Sequence, residues 1–117
     1  CSMRTYPDDV EIHFVGEVFY YSFPFVDEVP SGDTIRAVGA GSASGVTGVD
    51  ETGAAIRADL LSNIAVNSTS NIRTKITLTS LDEDKDYLLT ATAEMTSTAE
   101  RYEKFLLLKV RSPEIII

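Results

Sequence analysis

The sequence predicts an all-β sandwich of about seven mostly antiparallel strands, and three observations predict it. Segments of alternating apolar and polar residues recur along the chain, separated by turn chemistry every eight to twelve residues. Only one short stretch, Gly53–Ile64, carries helical spacing. Leu81–Met95 places Tyr87 six residues after Leu81 and then alternates strictly through Leu89, Ala91, Ala93 and Met95. A tyrosine at the start of a core strand, tying down the loop before it, marks an immunoglobulin-like Greek-key arrangement.

The elements follow in order. Val10–Phe14 alternates weakly and is broken by Gly16. Val18–Phe25 has the strongest aromatic alternation, with Phe19, Tyr21, Phe23 and Phe25 on one face and Val18, Tyr20, Ser22 and Pro24 on the other. That is the pattern of a half-buried strand. Pro24 cannot donate to a ladder, which predicts an edge position or a strand end. Val26–Asp33 is turn chemistry, and Thr34–Ala43 resumes an extended pattern thinned by Gly39 and Gly41. Gly53–Ile64 is the one stretch with helical spacing, at Ile56, Leu60 and Ile64. Ser62, Asn63 and the flanking strand patterns favour extended structure there, with at most one helical turn.

Ile72–Leu78 alternates cleanly, Ile72, Ile76 and Leu78 opposing Arg73, Lys75 and Thr77. Asp82–Asp86 reads as a solvated charged turn into the Tyr87–Met95 strand, and Lys104–Val110 closes the sandwich. The expected core is Phe19, Tyr21, Phe23, Ile35, Ile76, Leu78, Leu89, Ala91, Ala93, Leu106, Leu108 and Val110. The 117 residues suit one domain, residues 1–117, with an N-terminal arm (1–16) and a C-terminal apolar tail (112–117).

Composition narrows the function. A formal charge of −8 disfavours nucleic acid and anionic membrane as partners, since both attract basic surfaces. One cysteine, Cys1, permits no intrachain disulfide, which fits a reducing compartment. No apolar run approaches the ~20 residues of a membrane helix, and no signal-peptide pattern is present. Cys1 itself admits three readings: removal of an initiator Met, a cloning remnant before Met3, or the lipidated first residue of a lipoprotein.

Catalysis and metal chemistry find little purchase. His13 is the only histidine, so no relay or multi-histidine metal site can be assembled. Cys1 as a nucleophile would need His13 beside it and a lowered pKa. Asp82, Asp84 and Asp86 form D-x-D-x-D, the opening of a calcium loop. The sixth and twelfth positions hold Tyr87 and Ala93 rather than glycine and a carboxylate, so the helix-loop-helix form fails and only an irregular inter-loop site stays open. Gly39-x-Gly41-x-x-x-Gly45 has the wrong spacing for a phosphate loop. The arginines are dispersed over different elements. No enzyme, no cofactor and no metal are therefore expected.

Apolar residues on faces that ought to be wet carry more information. Phe105 and Leu107 oppose the inward set Leu106, Leu108 and Val110; Tyr20 opposes the aromatic row, and Leu88 opposes Leu89. Covering loops would explain them, and so would a contact between subunits. Ile115, Ile116 and Ile117 extend the argument. Burying three isoleucines contributes about 1.5–3 kcal/mol each before ordering costs, which suits docking onto an adjacent subunit or adding a strand to a sheet edge. The candidate interface is thus Tyr20, Leu88, Phe105, Leu107, Ile115, Ile116 and Ile117.

Four segments carry a resemblance. They are the aromatic strand Phe19–Phe25 running into Ser31-Gly32-Asp33-Thr34-Ile35, and a weak middle ending at Ser68-Thr69-Ser70. They continue with Ile76–Leu81 and its turn to Tyr87, then the Thr/Ala-rich Thr90–Thr96. Glu100-Arg101-Tyr102-Glu103-Lys104 precedes Leu106-x-Leu108-x-Val110. Over residues 17–111 this resembles the small immunoglobulin-like proteins of tailed bacteriophages known as fiber–tail adaptors, components of the virion neck and tail. DEDKD replaces the family's usual Gly/Thr-rich turn, and Ala54–Asn63 matches poorly. The resemblance implies a non-catalytic virion component, bound in a symmetric ring to copies of itself and to neighbouring tail, neck or fiber proteins. A different class, an immunoglobulin-like binding module on the bacterial surface or periplasmic face anchored through Cys1, is the alternative.

Overall fold

A computed structural model describes residues 7–39, 41–67 and 70–112. Seven strands account for about half of them: β1 (Asp9–Phe14), β2 (Val18–Pro24), β3 (Gly45–Val49), β4 (Leu61–Val66), β5 (Asn71–Thr77), β6 (Asp86–Glu94) and β7 (Arg101–Arg111). They form two sheets, a four-stranded one in the order β1-β7-β6-β3 and a three-stranded one in the order β2-β5-β4. All pairs are antiparallel except β1 with β7. The chain changes sheet at β1–β2, β2–β3, β3–β4 and β5–β6, while β4–β5 and β6–β7 are hairpins within a sheet. The fold is an all-β sandwich.

Period-two alternation sets the core. From β7, Leu106, Leu108 and Val110 point inward beside Leu89, Ala91 and Ala93 of β6; Ile72, Thr74 and Ile76 of β5 face them across the gap. Phe23, Ile35 and Leu78 are buried as the alternation implies, whereas Phe19 and Tyr21 are only half-buried against the core. Both sit on β2, an edge strand, so one flank of each ring stays open. The core also takes Phe25, Val46, Leu60, Tyr87 and Met95. Pro24 is the last residue of that edge strand, where a missing donor costs no ladder bond.

Two stretches depart from the expectation. The described residues of Thr34–Ala43 form no strand: the one ladder contact among them is the bridge between Ile35 and Met95. Side chains hold it instead. Asp33 accepts from the Thr34 and Ser97 amides at 2.8 and 3.2 Å, and buried Glu94 accepts from the Ala43 amide at 3.2 Å while pairing with Arg36 and Arg101. The pairing that Thr34–Ala43 forgoes falls to β3, where Gly48 faces inward so closely that an added Cβ would lie 2.7 Å from a Leu89 methyl and 2.8 Å from one of Ile56. Residues 51–60 are turns and irregular chain with a single bridge from Ala55 to Val49, and the helical spacing of Ile56, Leu60 and Ile64 yields instead to β4, bulged between Ser62 and Ala65.

The charged turn is divided. Leu81 lies on a short 3₁₀ turn (Ser80–Asp82) and is 69% exposed, so it anchors nothing. Asp82 takes that role from inside the fold. Its Oδ1 accepts the Tyr87 hydroxyl at 2.7 Å. Its Oδ2 accepts from the Thr79 amide at 2.8 Å and from Arg57 Nη2 at 3.1 Å. Arg57 Nη2 also donates to the Thr77 carbonyl at 2.9 Å. One carboxylate thus ties the β3–β4 loop, the end of β5 and the start of β6 together.

Burial first, and the Asp82 bond second, push the Tyr87 phenol well above its ordinary value of 10.0; burial and Asp9 do the same to Tyr21. A phenol whose folded pKa is raised holds its proton more tightly when folded. Its contribution to stability is therefore complete below about pH 10 and is lost as pH rises beyond it. Thermal melts followed by circular dichroism should hold level from pH 7 to about pH 9.5 and fall steeply above it. A Tyr21→Phe, Tyr87→Phe double variant should fall less steeply. Equal slopes in both proteins would refute this origin.

Candidate functional site

The outer face of the four-stranded sheet is built by the same alternation that builds the core. Where Leu106, Leu108 and Val110 turn inward, Phe105, Leu107, Lys109 and Arg111 turn outward. Strand register then aligns side chains from all four strands. Val10 lies beside Leu107, Leu107 beside Leu88, and Leu88 beside Val49, an unbroken apolar row across the sheet. One step along the strands runs the row Ile12–Lys109–Asp86; one step the other way, Phe105–Thr90–Thr47. Phe14 pairs with Arg111 at the sheet's end.

Much of this apolar surface meets water. Ile12 is 63% exposed, Val10 49%, Phe14 48% and Val49 37%; Leu88, Phe105 and Leu107 are half-buried by their neighbours. Scattered apolar residues on a surface are ordinary, but Val10, Leu107, Leu88 and Val49 are contiguous and span every strand of the sheet. Charges frame it. Asp86 accepts from Arg111 Nη1 at 2.9 Å, and Lys109 stands next to Asp86 in the register.

Leu88, Phe105 and Leu107 thus meet on one surface. Tyr20 does not join them. It lies on the outer face of the three-stranded sheet, 51% exposed, its ring 4.7 Å below the Arg73 guanidinium and its hydroxyl accepting from Asn63 at 3.4 Å. Parity along a strand says which residues oppose the core without saying which sheet they belong to. Ile115, Ile116 and Ile117 fall outside the described residues. Val10, Ile12, Phe14 and Val49 are additions to the surface. Alternation in Val10–Phe14 was the available signal, but only the parallel pairing with β7 sets that strand beside Leu107.

The residues weighed for chemistry go elsewhere. His13 turns away from Ile12 and Phe14, stacks on Phe19 with ring centroids 3.8 Å apart, and meets Glu11 at 2.8 Å. The three alternating aspartates diverge: Asp82 is buried on Tyr87 and Arg57, Asp84 sits exposed at a left-handed turn position (φ +57), and Asp86 pairs with Arg111. Among the described residues no three carboxylate, histidine or cysteine groups converge on one point. Between the open edges of β3 and β4 lies a cleft of about 310 Å³, lined by Val46, Ile56, Leu61 and Ile64 among others. Among the described residues, no helix is long and apolar enough to cross a membrane. No protein-family model and no curated protein matches this chain.

Proposed function

We propose that this protein is a structural component of a tailed-bacteriophage virion, in the neck, tail or fiber adaptor, and that it works by assembly with copies of itself and with neighbouring virion proteins. The virion part of this reading rests on the resemblance of residues 17–111 to the fiber–tail adaptors, and the observation that carries assembly is the apolar row Val10–Leu107–Leu88–Val49 across the outer face of the four-stranded sheet. A sheet with both faces apolar finds its lowest free energy when the second face is covered. Support also comes from the strand order, in which β1, β7, β6 and β3 face β2, β5 and β4, as suits an immunoglobulin-like sandwich. The scaffold then acts through surfaces rather than chemistry, with no catalytic role and no cofactor. Its place is the virion, reached from the host cytoplasm.

Light scattering across a range of protein concentrations tests the assembly. The full chain should show a mass above that of one 12.8 kDa chain, and Leu107→Asp should lower it toward a single chain. An unaltered protein that stays at one chain throughout would count against self-assembly and favour an isolated binding module.

A further inference from the structure

The outer face of the four-stranded sheet matches itself when turned about a two-fold axis, and we propose that its occupant is a second copy of the same face. The axis runs parallel to the strands, between β6 and β7. This inference rests on the self-assembly proposed above and specifies its geometry.

The argument lies in the register. Such an axis exchanges β7 with the second copy's β6, and β1 with its β3. In the central row Val10–Leu107–Leu88–Val49, Leu107 then lies over Leu88 of the second copy and Val10 over Val49, apolar on apolar at every position. In the adjoining row, Lys109 lies over Asp86 and Asp86 over Lys109. Each cation meets one carboxylate, and the two-fold makes this contact twice. In the row on the other side, Phe105 lies over Thr90. An axis across the strands instead sets Lys109 over Phe105 and Ile12 over Asp8, which lies just before β1 with its amide on the Phe105 carbonyl, and this leaves charge on apolar surface. Under the parallel axis Ile12 falls beyond the end of β3 and gains no strand partner, so this axis matches the apolar central row and the Lys109–Asp86 charges.

Energetics points the same way. A self-complementary patch is what a two-fold contact requires, because each residue must find its partner in the same surface. Two sheets stack face to face about 10 Å apart with strands nearly aligned, so side chains of this size meet in the middle. Lys109 has no carboxylate bond of its own among the described residues, and Asp86, already holding Arg111, has lone pairs to spare for a second cation. The two-fold closes on two copies; a larger ring would use other surfaces as well.

Two charge variants test the axis by sedimentation equilibrium, with circular dichroism confirming that each is folded. Lys109→Glu places two carboxylates against each other on both sides of the axis, and Asp86→Lys does the same with cations. Each alone should raise the dimer dissociation constant by about tenfold or more. Mixed in equal amounts they should pair with each other, restoring dissociation to near that of the unaltered protein, because one chain is then negative and its partner positive at both contacts. That gain can come only from folded chains. A dimer indifferent to both variants, or singles weakened but not rescued by mixing, would overturn this axis and leave self-assembly by another surface. A protein that stays monomeric at every concentration would overturn the axis and the self-assembly reading together.

Discussion

Asp82→Ala is expected to destabilise the fold by about 2–4 kcal/mol, measured by urea denaturation. The carboxylate is 2% exposed and holds the Tyr87 hydroxyl, the Thr79 amide and Arg57. Its removal leaves the hydroxyl and the amide without acceptors and the guanidinium without a counter-charge. Breaking a fully buried pair costs ~3–5 kcal/mol. Arg57 retains a quarter of its side-chain exposure, so water recovers part of its solvation and the expected loss is smaller. Tyr87→Phe, which removes one hydroxyl from a site that keeps its other bonds, should cost about 1–3 kcal/mol. An Arg57→Met, Asp82→Ala double variant should lose less than the two single changes added together, because no charge is then left unpaired. A loss below ~1 kcal/mol for Asp82→Ala would show that Asp82 does not organise this corner.

Phe25→Ala is expected to cost about 3–5 kcal/mol by the same measurement, the usual range for emptying a buried phenyl site. Phe25 is fully buried just past the end of β2, and its backbone does further work. Its amide donates to the Ser70 carbonyl at 2.7 Å, and its own carbonyl accepts from Glu28 and Val29, both at 2.9 Å. The ring therefore holds the start of the long β2–β3 connection against the core. Phe25→Leu keeps most of the volume and should lose about half as much or less. If Phe25→Ala unfolded at the same urea concentration as the unaltered chain, the β2–β3 connection would have to be anchored by its side-chain bonds alone.

Strands with clean alternation were legible in the sequence because burial on one face imposes period two directly. Ile72–Leu78, Tyr87–Met95 and Lys104–Val110 each lie within a residue or three of β5, β6 and β7. Thr34–Ala43 was misread because glycine-thinned extended chain looks alike whether a ladder or side-chain bonds hold it; Glu94 and Asp33, far apart in sequence, decide the matter here. Asp82 was hidden by composition. Surrounded by Glu83, Asp84, Lys85 and Asp86, it reads as one more solvated charge, yet Thr79-x-x-Asp82 is a capping box and pointed to an ordered turn. The outer surface was half legible. Leu88, Phe105 and Leu107 stand out by parity alone, whereas Val10 and Val49 acquire meaning only from pairings between strands distant in sequence.

Covering of the Val10–Leu107–Leu88–Val49 row by a second copy is the central claim, and thiol labelling reads it directly. In a Cys1→Ser background, a single cysteine is introduced by Leu107→Cys on the outer face of the four-stranded sheet, and in a separate protein by Lys75→Cys on the three-stranded sheet. Labelling at position 107 should slow as protein concentration rises, while labelling at position 75 keeps a constant rate. Rates at both positions that do not change with concentration would contradict the account, because the row would then remain open to solvent however many copies surround it.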